Sequence, residues 1–333
     1  MIKTAIVGFG YSAQTFHLPF LKAHPDFELI SVCSRRPEAV AQQLPGIATV
    51  SCLNQLLADE CIALVVITLP NQLHYDAAKS CLEADKHVVL EKPMTASVDE
   101  AKALIELARM QNRLLTVFHN RRWDGDFLTV KALLQEERLG PLHYFSSHFD
   151  RFRPEVRNRW KEADEPGGGV WYDLGPHLVD QALQLFGPPE TAEGSVRQLR
   201  PGSPGVDYFH VTLHYPNLEV VLQSSPYCAG PVPRFTLQSE KGCYRKWGLD
   251  PQEACLQKGI LPGSGLWWES VCDLDGQVYS QEGIYDLPTQ TGDYGVFFDG
   301  LARAIQQQAV LPVLPEESLQ SLRLIEDLAA ISK

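Results

Sequence analysis

The sequence has no Cys-x-x-Cys pair, no run approaching the ~18 apolar residues of a membrane-spanning helix, no internal repeat and no excess of basic charge. Each absence removes a class. The eight cysteines are scattered singly, so neither a zinc ribbon nor a dithiol redox site is expected. They read instead as reduced, mostly buried thiols of a cytoplasmic protein. The opening Met-Ile-Lys-Thr runs straight into an apolar stretch without the layout of a secretion signal, which agrees with a cytoplasmic location. Lys and Arg total 29 against 41 Asp and Glu, a net charge of -12, so the long-range field repels phosphate backbones and anionic lipid. Neither nucleic acid nor a membrane is an expected partner. What is present is 333 residues, 44% of them hydrophobic and 21% charged, enough to build two cores.

Between residues 4 and 118 short apolar runs (TAIVG, ELISV, ATV, ALVVIT, HVVLE, LLTVF) alternate with stretches of helical spacing such as 71–84 and 97–110. In the second of these, Leu104, Leu107 and Ala108 share a face. This alternation predicts βαβ units, hence a parallel sheet with helices on both faces. After about residue 142 the pattern changes. LHYFSSHFD, YFHVTLHY, LEVVLQSS and RFTLQSE alternate apolar with polar residues between Gly, Pro and Asn turns, as antiparallel strands do. A helix is expected over 167–186, and two more over 293–308 and 315–331, the last with Pro315 at its start and Glu316 and Glu317 in its first turn. The Gly/Pro-rich segments 201–205 and 259–265 read as surface loops.

Gly8-Phe9-Gly10-Tyr11-Ser12-Ala13 forms a G-x-G-x-x-A fingerprint between a strand and a helical stretch. Gly8 permits the tight turn, Gly10 lets the main chain approach a pyrophosphate, and Ala13 is small enough for close helix packing. The same residues could form a plain strand-to-helix turn, but position and context favour a dinucleotide site. About 21 residues beyond Ala13, where an NAD-binding protein places an acid for the ribose 2′-hydroxyl, stand Ser34, Arg35 and Arg36. A hydroxyl and two guanidinium groups suit a 2′-phosphate, so NADP(H) is the expected cofactor, with NAD(H) as the other candidate.

Lys92, in Val88-Val89-Leu90-Glu91-Lys92-Pro93, falls at the carboxyl end of a strand, the edge where open α/β sheets bind ligands. Alone it could be an exposed turn lysine. Asp173 and His177 are four apart and share a helix face, and Pro176 predicts that the helix starts or is distorted near there. An imidazole beside a carboxylate can move a hydroxyl proton near neutral pH, although a helix-start Asp and a packed His would read the same way. No other His, Asp and Glu residues have ligand spacing, so no metal is expected. The basic, aromatic stretch 151–160 is interleaved with Glu155 and followed by Glu162, Asp164 and Glu165, which makes it a mixed surface loop rather than a nucleic-acid patch.

The fingerprint, Leu69-Pro70-Asn71-Gln72-Leu73-His74, Glu91-Lys92-Pro93 and Asp173-Leu174-Gly175-Pro176-His177, in this order, resemble the glucose-fructose oxidoreductase/inositol dehydrogenase/rhizopine catabolism (Gfo/Idh/MocA) family over essentially the whole chain. Within it, segments 118–124, 151–157, 207–210 and 246–253 resemble the NADP-dependent scyllo-inositol dehydrogenase branch. The resemblance implies an α/β protein: a Rossmann dinucleotide-binding domain over 1–120 and, over 121–333, a C-terminal α/β domain with a large open, mainly antiparallel sheet. The active site is expected between the domains, and the last helix is a candidate for packing back on the Rossmann domain. Homodimers or homotetramers are implied as well. Cofactor contacts are implied for Gly8, Phe9, Gly10, Tyr11, Ser12, Ala13, Ser34, Arg35, Arg36, Thr68, Leu69, Pro70, Asn71, His74, Glu91 and Lys92.

The resemblance further makes Lys92, Asp173 and His177 the catalytic set, acting on a polyol or sugar. Polyols are held by hydrogen bonds and by packing of C–H faces on rings, so Trp123, Arg153, Tyr172 and His210 are candidate substrate contacts. Ala13 replaces the family's common third glycine, and Ser34 its acidic residue, which moves the expectation from NAD towards NADP. The expected reaction is hydride transfer between nicotinamide and a cyclic polyol such as scyllo-inositol. The alternatives are a sugar, a sugar acid or a trans-dihydrodiol as substrate, or a dinucleotide-binding regulator without turnover. Retention of Lys92, Asp173 and His177 together weighs against the regulator.

Overall fold

The computed structural model describes residues 1–156 and 167–331. Its first part is a run of βα units: β1 (Ile2–Val7), α1 (Leu18–Ala23), β2 (Phe27–Cys33), α2 (Pro37–Gln43), β3 (Ala48–Val50), α3 (Leu53–Leu57), β4 (Leu64–Ile67), α4 (His74–Glu83), β5 (His87–Leu90), α5 (Val98–Met110) and β6 (Leu115–Val117). All six apolar runs become strands. They pair in parallel in the order β3-β2-β1-β4-β5-β6, the doubly wound arrangement. β4 is buried throughout, as a strand covered on both faces must be. α5 begins with an N-cap: the Ser97 hydroxyl accepts from the Glu100 N–H, and the Glu100 carboxylate accepts from the N–H of Ala96, one residue before the cap.

The chain continues through α6 (Gly125–Gln135), β7 (Leu142–His148), α7 (Gly169–Phe186), β8 (Thr191–Arg197), β9 (Tyr208–Tyr215), β10 (Leu218–Ser224), β11 (Phe235–Ser239) and β12 (Gly242–Lys246). It then passes α8 (Gln252–Gln257), α9 (Trp267–Ser270), β13 (Gly276–Ser280), β14 (Gly283–Leu287), α10 (Gly295–Gln307) and α11 (Pro315–Ile331). The second sheet has the order β14-β13-β12-β11-β7-β10-β9-β8 and is antiparallel except where β7 meets β10. Its inner face, with Phe145, Phe209, Val211, Val220, Leu222, Phe235 and Leu237, packs on Trp171, Leu174, Leu178 and Val179 of α7.

By contacts the chain forms two compact units. One holds 1–120, 252–270 and 294–319; the other holds 121–251, 271–293 and 320–333. Residues of α11 up to Leu319 therefore group with the first unit and those from Gln320 with the second. In the first unit Phe298 of α10 stacks on Phe20 at 5.3 Å, and Phe297 meets Phe118 edge-on at 4.9 Å. These aromatic contacts supply cover that the first 120 residues do not provide for themselves.

α7 runs Gly169–Phe186, within the expected 167–186, and carries Pro176 at its eighth position. The buried apolar face compensates for the main-chain bond that a proline cannot donate. The cysteines are not mostly buried: Cys33, Cys81 and Cys255 are, but Cys52, Cys61 and Cys272 are exposed and Cys228 and Cys243 intermediate. The exposed three lie outside strands and helices, beyond the cores that bury the others.

Candidate active site

β1 ends at Val7, and Gly8 turns the chain with φ +92°. A Cβ there would stand 2.8 Å from Thr68 Oγ1 and 3.0 Å from Thr68 O, so only glycine lets the ends of β1 and β4 close together. A Cβ on Gly10 would meet nothing within 4 Å. That open space lies at a helix start without acidic residues, and it leaves room for a dinucleotide pyrophosphate. Ala13 is fully buried. The turn is held by its own neighbours: Gln14 Nε2 and Arg36 Nη2 donate to Phe9 O at 3.0 and 2.6 Å. Ser34 Oγ accepts from Arg36 N at 3.1 Å, and Arg35 is exposed. Tyr11 is exposed, yet its hydroxyl donates to Glu253 Oε1 at 2.8 Å and accepts from Gln257 Nε2 at 2.6 Å, both on α8. Partial burial pushes the Tyr11 phenol up, with Gln257 opposing and Glu253 adding to the shift.

The loops after β4 and β5 carry Thr68, Leu69, Pro70 and Asn71, and Glu91 and Lys92. His74 ties these loops together, its ring nitrogens lying 3.0 Å from Pro93 O and 2.9 Å from Leu69 O. The ring is fully buried, so its part is to hold the two loops. Burial is also the main reason its pKa falls below the ordinary histidine value. Lys92 is half-buried, and the Lys92–Pro93 peptide bond is cis. Glu91 receives His17 Nε2 at 2.8 Å and the Ser12 hydroxyl on Oε1, and Lys92 N donates to its Oε2 at 3.3 Å. Burial alone would raise the Glu91 carboxyl. The hydrogen bond and charge of His17, the Ser12 hydroxyl and the Lys92 ammonium together hold it down at about 2.

In the second unit the chain enters α7 through Gly169 at φ +79°, where a Cβ would collide with Val206 O at 2.9 Å. Asp173 is half-buried, and His177 is 7% exposed with its ring edge-on to Phe149 at 6.4 Å. Gly175 leaves room for the Trp171 ring, which a Cβ would approach to 2.8 Å, and Trp171 Nε1 donates to Ile325 O at 3.0 Å. One turn past His177 the helix is pinned by charge. Arg122 grips Asp180 with two bonds of 2.8 and 2.6 Å. Gln181 donates to Arg121 O and accepts from Arg234 Nη2, both at 2.8 Å. The Arg234 guanidinium lies 4.0 and 4.2 Å over the rings of Phe149 and Phe235 and also donates to Ser147 Oγ. Burial lowers it to about 10 against the opposing pull of Asp126 and Asp124. Sequence reasoning missed Arg122, Asp180, Gln181 and Arg234. Extending the Asp173–His177 spacing by one more step would have reached Gln181.

Tyr172 is half-buried beside Asp173, and burial, with the Glu326 charge, raises its phenol. Trp123 is half-buried and its carbonyl accepts from Asp293 N at 3.1 Å; Arg153 N donates to Pro226 O at 2.7 Å. His210 lies on β9. Its neighbours Phe209 and Val211 on β9 face α7, so strand alternation puts His210 on the opposite face of the sheet, where Nδ1 meets Gln223 Oε1 at 2.9 Å. Lys92 belongs to the first unit, Asp173 and His177 to the second. Among the described residues no three His, Cys, Asp or Glu side chains are grouped to hold a metal, and no helix is long and apolar enough to cross a membrane. Arg157, Trp160, Glu162, Asp164 and Glu165 lie outside the described residues.

A family model described as "Oxidoreductase family, NAD-binding Rossmann fold" matches residues 2–119, and one described as "Oxidoreductase family, C-terminal alpha/beta domain" matches residues 131–330. The chain belongs to the Gfo/Idh/MocA oxidoreductase family. It is 41% identical over 330 residues to the uncharacterized oxidoreductase YdgJ of Escherichia coli, covering 98% of this chain and 94% of that protein. It is 36% identical over 336 residues to scyllo-inositol 2-dehydrogenase (NADP(+)) IolW of Bacillus subtilis, covering 100% and 94%. The solved structure of YPO2259 from Yersinia pestis superposes with a TM-score of 0.93 at 44% identity, covering 99% of this chain and 95% of that one. As a Gfo/Idh/MocA protein this chain is an oxidoreductase, and its NAD-binding Rossmann domain supports a nicotinamide cofactor.

Proposed function

We propose that the protein is an NADP(H)-dependent dehydrogenase of a cyclic polyol, with scyllo-inositol and its inosose as the substrate pair. The observation that carries the cofactor choice is Ser34 at the end of β2, where NAD enzymes place a carboxylate, followed by the exposed Arg35. Arg36 reinforces the same corner by holding Phe9 O. The substrate class is supported by the likeness to IolW, whose name states scyllo-inositol and NADP(+).

When bound, the nicotinamide supplies the acceptor for a hydride. His177 takes the hydroxyl proton of the substrate at Nε2, its Nδ1 being sealed from solvent. Asp173, four residues earlier on α7, supports the imidazolium that forms. The Lys92 ammonium stabilises negative charge developing on the substrate oxygen. Tyr172, Trp123 and Arg153 are the proposed polyol contacts. The protein works in the cytoplasm as a homodimer or homotetramer; mass photometry showing monomer alone rejects the assembly.

The test is the absorbance of reduced cofactor with NADP or NAD across scyllo-inositol, myo-inositol, glucose and gluconate. Turnover of scyllo-inositol with NADP preferred supports the reading, and the Arg35→Ala/Arg36→Ala variant then weakens NADPH at least about tenfold more than NADH, the order expected for lost charge-assisted bonds. Equal losses for both cofactors refute the 2′-phosphate assignment. Turnover of another substrate moves the enzyme within its family.

A further inference from the structure

The turn between the fingerprint and α1, Ala13–His17, is π-helical, with Leu18 N–H bonded to Ala13 O five residues back. Pro19 accounts for it locally: a proline ring collides with the carbonyl four residues earlier in a regular helix, and a wider turn relieves the collision. The consequence is geometric. In an α-helix of 3.6 residues per turn, side chains five apart point about 140° away from each other. In a wider turn closed by i→i+5 bonds, with roughly 4.4 residues per turn, they come to within about 50° of each other. Ser12 and His17 are five apart, and both reach the same oxygen, Glu91 Oε1.

The geometry points to His17 and Ser12 as a two-pronged clamp on Glu91 that fixes the Glu-Lys-Pro turn, and with it the Lys92 side chain, against the dinucleotide fingerprint. His17 is thereby a positioning residue of the dehydrogenase, acting through Glu91. This rests on the function proposed above. His17 is fully buried, and its ring packs on Phe118 at 4.4 Å and Phe298 at 6.2 Å, so it has one direction in which to offer Nε2. Glu91 in turn accepts from Lys92 N, the main-chain atom of the residue whose ammonium faces the substrate in the proposed reaction. Its ionised state depends on the groups around it: His17 and Ser12 from the first turn, and Lys92 beside it in its own loop. His74 on α4 also senses the Glu91 charge. Removing the His17 prong leaves the burial cost of the carboxylate opposed by Ser12 and Lys92 alone.

The experiment compares His17→Leu, which keeps the packing volume without a donor, with His17→Gln, which restores an N–H donor. Each is assayed for scyllo-inositol oxidation from pH 5 to 9. The expected result for His17→Leu is a kcat lower by about 10–100-fold, the size of a sub-ångström to ångström misplacement, with KM for NADP within about threefold. Its kcat acquires a second acid limb, beyond the one that protonation of His177 already gives the parent, as Glu91 becomes protonated. His17→Gln recovers most of the kcat and removes this second limb, and Ser12→Ala shows a smaller loss in the same direction. Equal kcat losses in His17→Leu and His17→Gln that track thermal stability, or an unchanged kcat in His17→Leu, overturn the clamp. If the parent turns over no polyol at all, the functional reading fails by itself. The clamp is then read from bound NADPH: emission shifted towards that of free NADPH in His17→Leu and restored in His17→Gln supports it, and identical emission in parent and both variants overturns it. Should His17→Leu not fold, Ser12→Ala carries the same comparison, an unchanged kcat or NADPH emission there overturning the clamp.

Discussion

Arg122 and Asp180 are 7% and 3% exposed and joined by two short hydrogen bonds, so neither charge has water to fall back on. Replacing Arg122 by Met removes both of these charge-assisted hydrogen bonds from the Asp180 carboxylate in the second unit's interior. Breaking a buried pair from one side costs about 3–5 kcal/mol. At roughly 2–4 °C per kcal/mol for a body of this size, the melting midpoint falls by about 6–20 °C. The double variant Arg122→Met/Asp180→Leu removes both charges together and recovers at least about 2 kcal/mol of that loss, because the larger part of the cost is a buried carboxylate that has lost its bidentate cation and not a lost attraction. Urea unfolding followed by tryptophan emission, with calorimetry in parallel, completes the cycle. A loss below about 1 kcal/mol in Arg122→Met, or a double variant no better than the worse single, refutes the reasoning. Kinetics add a second reading: Asp180 and Gln181 set the rotation of α7, so Arg122→Met lowers kcat by more than its folded fraction explains.

The two fingerprint glycines separate folding from binding. Gly8→Ala forces a positive φ and drives a methyl against Thr68, costing about 1–3 kcal/mol in denaturant unfolding, whereas Gly10→Ala unfolds like the parent and loses NADPH affinity by fluorescence titration. The His87 ring is held at about 4, below its ordinary 6.5, by burial and then by the Arg113 charge. The folded state therefore binds fewer protons than the unfolded one between those values, and His87 contributes stability that is complete above about pH 6.5 and is lost as pH falls towards 4. Chemical denaturation across this window should show a shallower decline in His87→Asn than in the parent; parallel declines count against the assignment.

Most of what could be read in advance was local. The six parallel strands were legible because each is a short β-branched run, and the need for glycine at position 8 because it depends on the turn it sits in. The Asp173–His177 face followed from helical spacing. β8, β12, β13 and β14 were not legible. β8 reads Thr-Ala-Glu-Gly-Ser-Val-Arg, a poor strand by composition that exists because β9 pairs with it, and β14 is too exposed to show a clean alternation. The ionic frame of α7 was hidden for another reason. Arg122 and Asp180 are 58 residues apart and Gln181 and Arg234 are 53 apart, so no window of sequence contains either pair. His210 was read by residue type alone, and the alternation of its own strand sends it to the other face of the sheet.

The dinucleotide unit is assembled from three stretches of chain, and Phe297 and Phe298 close its aromatic core. A nascent chain released only to residue 120 owns all six strands of the first sheet and none of that cover. At ~5–20 residues per second, the remaining stretch of roughly 200 residues takes about 10–40 s to synthesise. During that interval the sheet stands with Phe20 and Phe118 uncovered, a surface for chaperones to hold, and the unit that begins first is completed among the last.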